Sequence, residues 1–568
     1  MEIFIVFLIV IILILLLYIY EKKSFMKKKN HILKKIQEEW DTLALPETEV
    51  DLYDLKKSYD YMSKLNYDNE IDDITWNDME MDSVFKNLNY TKSFMGEMLL
   101  YKILRNPVND LNILKEREQI IDIFYNNKDL RERKLFQLMK IGKLNHISIW
   151  EYKNNICDIT YSKQLHFLFP IILLLTLLII PIKIIVGIPL SIFVLSVNIY
   201  TYYRDKAKIE NYIPLLVQIG TMLNSIKGLN EITNYSIIDR YTQKLTIALI
   251  LGKKYNKYLS MIRTTINGYI TEMDTAVDYI RIITHMDLIA FIKLVNYINS
   301  NIELIQECYE TIGYIDSMIA VAQFKRQHNL RYKDTLCLST PNLLINETGL
   351  LMAKDLFNPL LQNPKTNSFD IKKSILITGS NATGKSTFLR TVGINAILAQ
   401  TVYIVCSREY HSSLFRVYSS MNIKDNIFNA SSYYMMEIRS IKRMLDAVNS
   451  NITLLCCIDE VLRGTNTIER IGAASEILKS LAQSNVLCLA ATHDIELSYI
   501  LENLYDNYHF QERVIEDDIT FDYYLYSGRS YTRNAIQLLR LLGYSNDIVS
   551  NAVKKVNNYI SSGIWSVD

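Results

Sequence analysis

Gly379-Ser380-Asn381-Ala382-Thr383-Gly384-Lys385-Ser386-Thr387 follows the apolar run Ser374 to Thr378 and precedes the helix-forming run that starts at Phe388. The nonapeptide satisfies G-x-x-x-x-G-K-[ST] at every fixed position, between a short buried strand and a helix. Its glycines let the backbone turn tightly, so that successive N–H groups converge on phosphate oxygens. The helix that follows directs its N-terminal partial positive charge to the same point. Lys385 adds a point charge for the β- and γ-phosphates, and Ser386 offers a hydroxyl ligand to Mg²⁺. A nucleoside triphosphate is the ligand this pattern implies, with residues 379–387 as its phosphate cradle.

Two further apolar runs end in polar chemistry. Leu454-Leu455-Cys456-Cys457-Ile458 leads into Asp459 and Glu460. Paired acids at the end of a buried strand place one carboxylate beside Mg²⁺, here Asp459, and a second beside the attacking water, here Glu460. Leu487 to Thr492 is another strand, ending in His493, which would then reach the γ-phosphate.

These residues carry a family resemblance. Asp459-Glu-Val-Leu-Arg-Gly-Thr-Asn-Thr467 resembles the D-E-x-x-R-G-T-x-T segment of the MutS mismatch-repair family, and Ala491-Thr-His-Asp-Ile-Glu-Leu497 is similar to its A-T-H-x-x-E-L. Ser432-Tyr-Tyr-Met-Met-Glu-Ile438 resembles its S-T-F-M-x-E-M signature, and Asn534 to Gly543 resembles its tail. The likeness runs from about Leu344 to Tyr559. A weaker one, Val84 to Tyr101 followed by Leu104-Arg-Asn-Pro107, is similar to the start of the family's helical core, with Ser93 in a Thr position.

The resemblance implies an ABC-type ATPase in which two copies sandwich two nucleotides, with ATP and Mg²⁺ as cofactors. Ser386 and Asp459 would place the metal, Glu460 would activate water, and His493 would sense the γ-phosphate. Asn381 would order the γ-phosphate or the water, and Ser432 would complete the partner's site in trans. There are departures. Ser380 and Ala382 replace the usual Pro and Met, Tyr433 replaces Thr, and Leu462 stands where Gly is common. Nothing resembles the family's mismatch-reading domain with its F-x-E wedge, or the connector domain after it.

Ile3 to Tyr20 is an apolar and aromatic run without a charge, followed by seven lysines between Lys22 and Lys35. That length suffices to span a hydrocarbon core of about 30 Å, and the lysines put the following chain in the cytoplasm. A second block, about Leu165 to Tyr203, is interrupted at Pro181-Ile182-Lys183 and reads as a hairpin that either crosses fully or re-enters. Arg204, Lys206 and Lys208 follow it, again on the cytoplasmic side.

The formal net charge of +1 lacks the basic excess of a strong nucleic-acid footprint. The seven cysteines form no C-x-x-C pair, and Cys456, Cys457 and Cys488 fall inside expected buried strands, so neither a disulfide framework nor a metal site is indicated. The expected organisation is a transmembrane anchor at 1–21, a juxtamembrane helical segment at 22–71 and a core helical part at 72–160. A transmembrane hairpin at 164–203, a helical core or lever region at 204–329 and the ATPase with dimer-bracing helices at 330–568 complete it. The fold class is therefore an α/β P-loop ATPase domain C-terminal to an all-α lever region, with about three transmembrane helices. The expected setting is the cell membrane, multi-pass, with the ATPase cytoplasmic and the chain homodimeric. Two functions stay open: a DNA-handling ATPase acting on double-stranded or branched DNA, and an ATPase that remodels a membrane or a protein partner.

Overall fold

A computed structural model of the chain describes residues 2–46, 50–63, 69–143, 148–155, 163–262, 272–333, 335–345, 348–380, 383–421, 433–449, 452–463, 465–515, 518–529, 536, 539–540, 543–563 and 565. It divides into two compact units that do not follow the chain in blocks. Residues 1–66, 88–102 and 119–327 form the first, and 67–87, 103–118 and 328–568 the second. The stretch 72–160, which the sequence suggests as one helical piece, is thus shared between them.

The first unit is helical. Its N-terminal helix, Glu2–Asp41, carries the run from Ile3 to Tyr20 and continues unbroken through the lysines. Lys163–Ile179 and Ile184–Ile209 form the apolar hairpin, and the second arm runs on into Ile213–Leu229. Among the described residues one helical run, Ile184–Leu229, is long and apolar enough to cross a membrane, with a mean hydropathy of 2.0 over its most apolar 18 residues. The first arm is apolar but has 17 residues. At 1.5 Å per residue that is about 25 Å, at the short end of what a membrane-spanning helix uses. Polar groups meet behind the hairpin: His285 Nδ1 lies 2.7 Å from His166 Nδ1, and Tyr202 donates to Asp287 Oδ2 at 2.8 Å.

The start of helix Phe94–Arg105 shows why a small hydroxylic residue stands at Ser93. Asp316, fully buried on helix Ile302–Tyr332, accepts from Lys92 N at 3.1 Å, from Ser93 N at 2.8 Å and from Ser93 Oγ at 2.6 Å. Ser93 Oγ in turn accepts from Gly96 N at 3.1 Å. One carboxylate therefore fixes the two residues that lead into a helix more than two hundred residues away, and Ser93 Oγ caps one of that helix's first N–H groups.

Among the described residues the strands all lie in the second unit: β1 (Asn342–Leu344), β2 (Leu351–Leu356), β3 (Asn367–Ile371), β4 (Ile375–Thr378), β5 (Glu409–Ser413), β6 (Arg416–Ser420), β7 (Leu454–Asp459), β8 (Val486–Thr492), β9 (Asp506–His509), β10 (Glu512–Ile515), β11 (Asp518–Phe521) and β12 (Tyr526–Ser527). The central sheet has the order β12-β9-β4-β8-β7-β6, parallel apart from β12. Every residue of β4, β7 and β8 is buried, as expected of parallel strands covered on both faces. A four-stranded sheet, β1-β5-β2-β3, and the hairpin β10–β11 complete the strands.

Short helices from the upstream part of the chain brace this unit. Asp78 accepts from Ser419 Oγ at 2.7 Å and Met421 N at 3.0 Å, just past β6. Its carbonyl accepts from Arg390 Nε at 2.9 Å, which ties it to the helix Lys385–Thr401. Trp76, fully buried, carries the Arg105 guanidinium 4.3 Å over its ring.

Candidate nucleotide site

In a parallel sheet, ligands gather outside the carboxyl ends of the strands. Here β8 lies between β4 and β7, so three segments far apart in sequence end side by side: the loop at 379–384, the acids Asp459 and Glu460, and His493.

The loop's geometry depends on its two glycines. Gly379 has φ +146°, and a Cβ there would sit 2.8 Å from the Phe510 carbonyl oxygen. Gly384, at φ +107°, caps the helix Lys385–Thr401, and its Cβ would meet Tyr523 Cδ1 at 3.1 Å. Both backbone angles lie where a side chain is strained. Thr383 Oγ1 donates to Ser380 O at 2.8 Å and Ser380 Oγ to Glu512 Oε2 at 2.5 Å, so the departure from Pro at 380 has acquired a carboxylate partner. Asn381 and Ala382 lie outside the described residues, as does Ser432. Thr387 sits exposed on the first turn of the helix.

Lys385 is buried, with Nζ donating to the carbonyls of Gly379 and Ser380, both at 2.8 Å. Burial pulls its pKa down to about 8, against the opposing pull of Asp459 and Glu460. Ser386 Oγ donates to Asp459 Oδ2 at 2.5 Å, which joins the helix start to the end of β7.

Glu460 sits between two basic side chains. His493 Nε2 lies 2.9 Å from its Oε1, and Arg463 Nε 2.7 Å from its Oε2. The hydrogen bond from His493, then Arg463 and Lys385, hold the Glu460 carboxyl below the usual glutamate range despite its burial. A nitrogen facing a carboxylate at that distance carries the proton, so His493 Nε2 is the donor. The Lys385 ammonium, 3.4 Å from the same nitrogen, is therefore a neighbour without a hydrogen bond to it.

Several residues here have no role in the sequence reading. Arg463 also donates to Asp459 O at 3.1 Å and stands 3.4 Å from Asp459 Oδ2. Arg470 holds Asp494, next to His493, through contacts of 2.9 and 2.6 Å. Both arginines fall in or beside the quoted D-E-x-x-R-G-T-x-T stretch, and that proximity was their one signal. Glu437 accepts from Leu462 N at 2.5 Å and from Arg463 N at 3.3 Å. Tyr523, half exposed beside Gly384, offers an aromatic face at the loop. Leu462, where glycine is common, does adopt a glycine-like φ of +61°, with its side chain in the core.

Ser386 and Asp459 bring a hydroxyl and a carboxylate together, the hard oxygen donors that Mg²⁺ takes. Among the described residues no cluster of three or more His, Cys, Asp or Glu side chains forms a metal site.

Comparison with known proteins yields two family models that between them span most of the chain. One described as MutS domain III matches residues 63–322, and one described as MutS domain V matches residues 375–559. The chain is 30% identical over 232 residues to the DNA mismatch repair protein spellchecker 1 of Drosophila melanogaster, covering 39% of this chain and 25% of that protein. It is 26% identical over 274 residues to the DNA mismatch repair protein MutS of Clostridium botulinum (strain Loch Maree / Type A3), covering 46% of this chain and 28% of that one. The chain thus spans little more than a quarter of the length of these relatives.

Proposed function

This chain belongs to the MutS family, and we propose that it is a membrane-anchored, Mg²⁺-dependent ATPase with an ABC-type site, whose cycle moves helical levers that act on DNA. One observation carries the reading. Ser386, Asp459, Arg463, Glu460, His493 and Lys385 form one run of close approaches, each between 2.5 and 3.4 Å, with Arg463 as the bridge between the two carboxylates.

Each side chain has a task in that chemistry. The N–H groups of the 379–387 loop cradle the phosphates, and Lys385 exchanges its carbonyl partners for phosphate oxygens. Ser386 and Asp459 hold Mg²⁺, which when bound neutralises charge on the β- and γ-phosphates. Glu460, ionised at neutral pH, orients the water and takes its proton. His493 donates through Nε2, and Arg470 and Asp494 fix its strand end. Two copies enclose two nucleotides, with Ser432 of the second copy completing each site and the tail beyond Ser530 bracing the pair.

The printed names of the relatives, both DNA mismatch repair proteins, support DNA as the polymer acted upon. The exposed apolar arms Lys163–Ile179 and Ile184–Ile209 support a multi-pass anchor in the cell membrane with the ATPase in the cytoplasm. The same arms favour a second reading, in which the levers work on a membrane or protein partner and no DNA is bound.

The test is the ATPase rate of the full chain in nanodiscs without DNA and with homoduplex, mismatched and branched DNA, at two salt concentrations. Stimulation that fades with salt supports DNA as substrate; a rate indifferent to all of them supports the second reading. Glu460→Gln should bind ATP and lose turnover, while Lys385→Ala should lose binding itself. A Glu460→Gln enzyme with normal turnover refutes the assignment of the base.

A further inference from the structure

The turn after β7 is held in an unfavourable shape. Glu460 and Leu462 both have φ +61°, a region that Cβ-bearing residues avoid. Such a conformation persists when its surroundings over-determine it. Glu460 N is fixed by Ala491 O at 2.9 Å. The other constraint comes from outside the strand and its turn: Glu437, on helix Tyr433–Ala447, sends a carboxylate that accepts from the backbone N–H groups of Leu462 and Arg463.

That carboxylate is expensive to keep. Glu437 is 3% exposed, its Oε2 has no hydrogen-bond partner among the described residues, and burial pushes its carboxyl above the usual range. A buried side chain with an unsatisfied oxygen calls for an account. Arg463 provides one. Its backbone N–H is bound by Glu437, while its side chain stands 2.7 Å from Glu460 Oε2 and 3.4 Å from Asp459 Oδ2.

We propose that Glu437 is a positioning residue of the ATPase site: its carboxylate fixes the turn Glu460–Arg463 and, through Arg463, sets where the Asp459 and Glu460 carboxylates stand. The inference rests on the ATPase reading above and deepens it. Glu437 acts on the site through the turn and through Arg463. It makes hydrolysis sensitive to the position of helix Tyr433–Ala447, because a shift of that helix reaches Glu460 through two contacts.

Two conservative variants separate reach from charge, in the full chain in nanodiscs. Glu437→Asp keeps the acid but is one methylene too short to bond both N–H groups; Glu437→Gln keeps an acceptor oxygen at full reach. Glu437→Asp should bind a non-hydrolysable ATP analogue as wild type does and lose kcat by about ten- to a hundredfold, the scale of a misplaced catalytic group. KM for ATP should stay at the wild-type value, which separates a misplaced catalytic group from a collapsed site. Glu437→Gln should keep kcat within about threefold of wild type. Wild-type kcat in Glu437→Asp overturns the inference, and so does an equal loss of kcat in Glu437→Gln. A wild-type chain that binds no ATP overturns the ATPase reading instead, and this inference with it.

Discussion

Raising the pH through 8 should weaken ATP binding by this chain, because Lys385 carries a charge that its surroundings resist. Its ammonium is buried against the carbonyls of Gly379 and Ser380, and desolvation lowers its pKa from 10.5 to about 8. That difference disfavours the charged form in the folded protein by about 3 kcal/mol at neutral pH. The sign for stability follows from linkage. Between about pH 8 and 10.5 the unfolded chain binds the proton that the folded one has lost, so the penalty disappears and this group's contribution to stability rises. Nucleotide affinity runs the other way, since phosphate oxygens bind the ammonium. Above pH 8 each ATP bound must bring a proton to Lys385, and Kd should rise about tenfold per pH unit, equivalent to about 1.4 kcal/mol. Titration calorimetry with a non-hydrolysable ATP analogue, in buffers of different ionisation enthalpy from pH 7 to 9.5, measures both the slope and the proton taken up. A flat Kd with no proton uptake across that window would refute the reasoning, since it would mean that Lys385 stays charged or takes no part in binding.

Leu462→Gly pits two magnitudes against each other. It relieves a left-handed leucine, worth about 1–2 kcal/mol, but removes a side chain 3% exposed in the core, worth about 2–5 kcal/mol; denaturant unfolding should show a net loss of stability. Gly384→Ala should abolish nucleotide binding in a fluorescence titration while leaving the fold intact, because a methyl at φ +107° faces Tyr523 at 3.1 Å. Asp316→Ala should lower stability by about 2–4 kcal/mol, since it strips a buried helix start of a charged acceptor for three donors. Its melting temperature should fall well below that of Ser93→Ala, which leaves the carboxylate its backbone partners; equal losses would contradict this account of the capping.

The chemistry of the site was legible because contiguous residues encode it. Gly379 to Thr387 needs no fold to show two glycines, a lysine and a hydroxyl at fixed spacing. The acids and His493 stood at the ends of runs apolar enough to mark buried parallel strands, and in the structure those runs are β7 and β8. The domain boundaries were less legible. Residues 72–160 carry ordinary amphipathic helices, and periodicity does not say which core a helix joins. Trp76 and Asp78 join the sheet unit, while Ser93 and Gly96 sit with Asp316 in the helical one. The membrane reading was limited by geometry: hydropathy marks the hairpin, but where its turn falls decides that the first arm has 17 residues.

The sequence by itself determined the glycine-rich loop, the buried apolar strands and the acids and histidine that follow them, because these depend on covalent neighbours and on patterns a few residues long. Only the tertiary structure decided which of the 61 acidic residues serve as props: Glu437 for the turn after β7, Glu512 for Ser380, Asp316 for the helix at Ser93. The physical reason is common to all three. A carboxylate acquires such a role when folding removes it from water and brings it to donors on a distant segment, and before that it is one solvated acid among many.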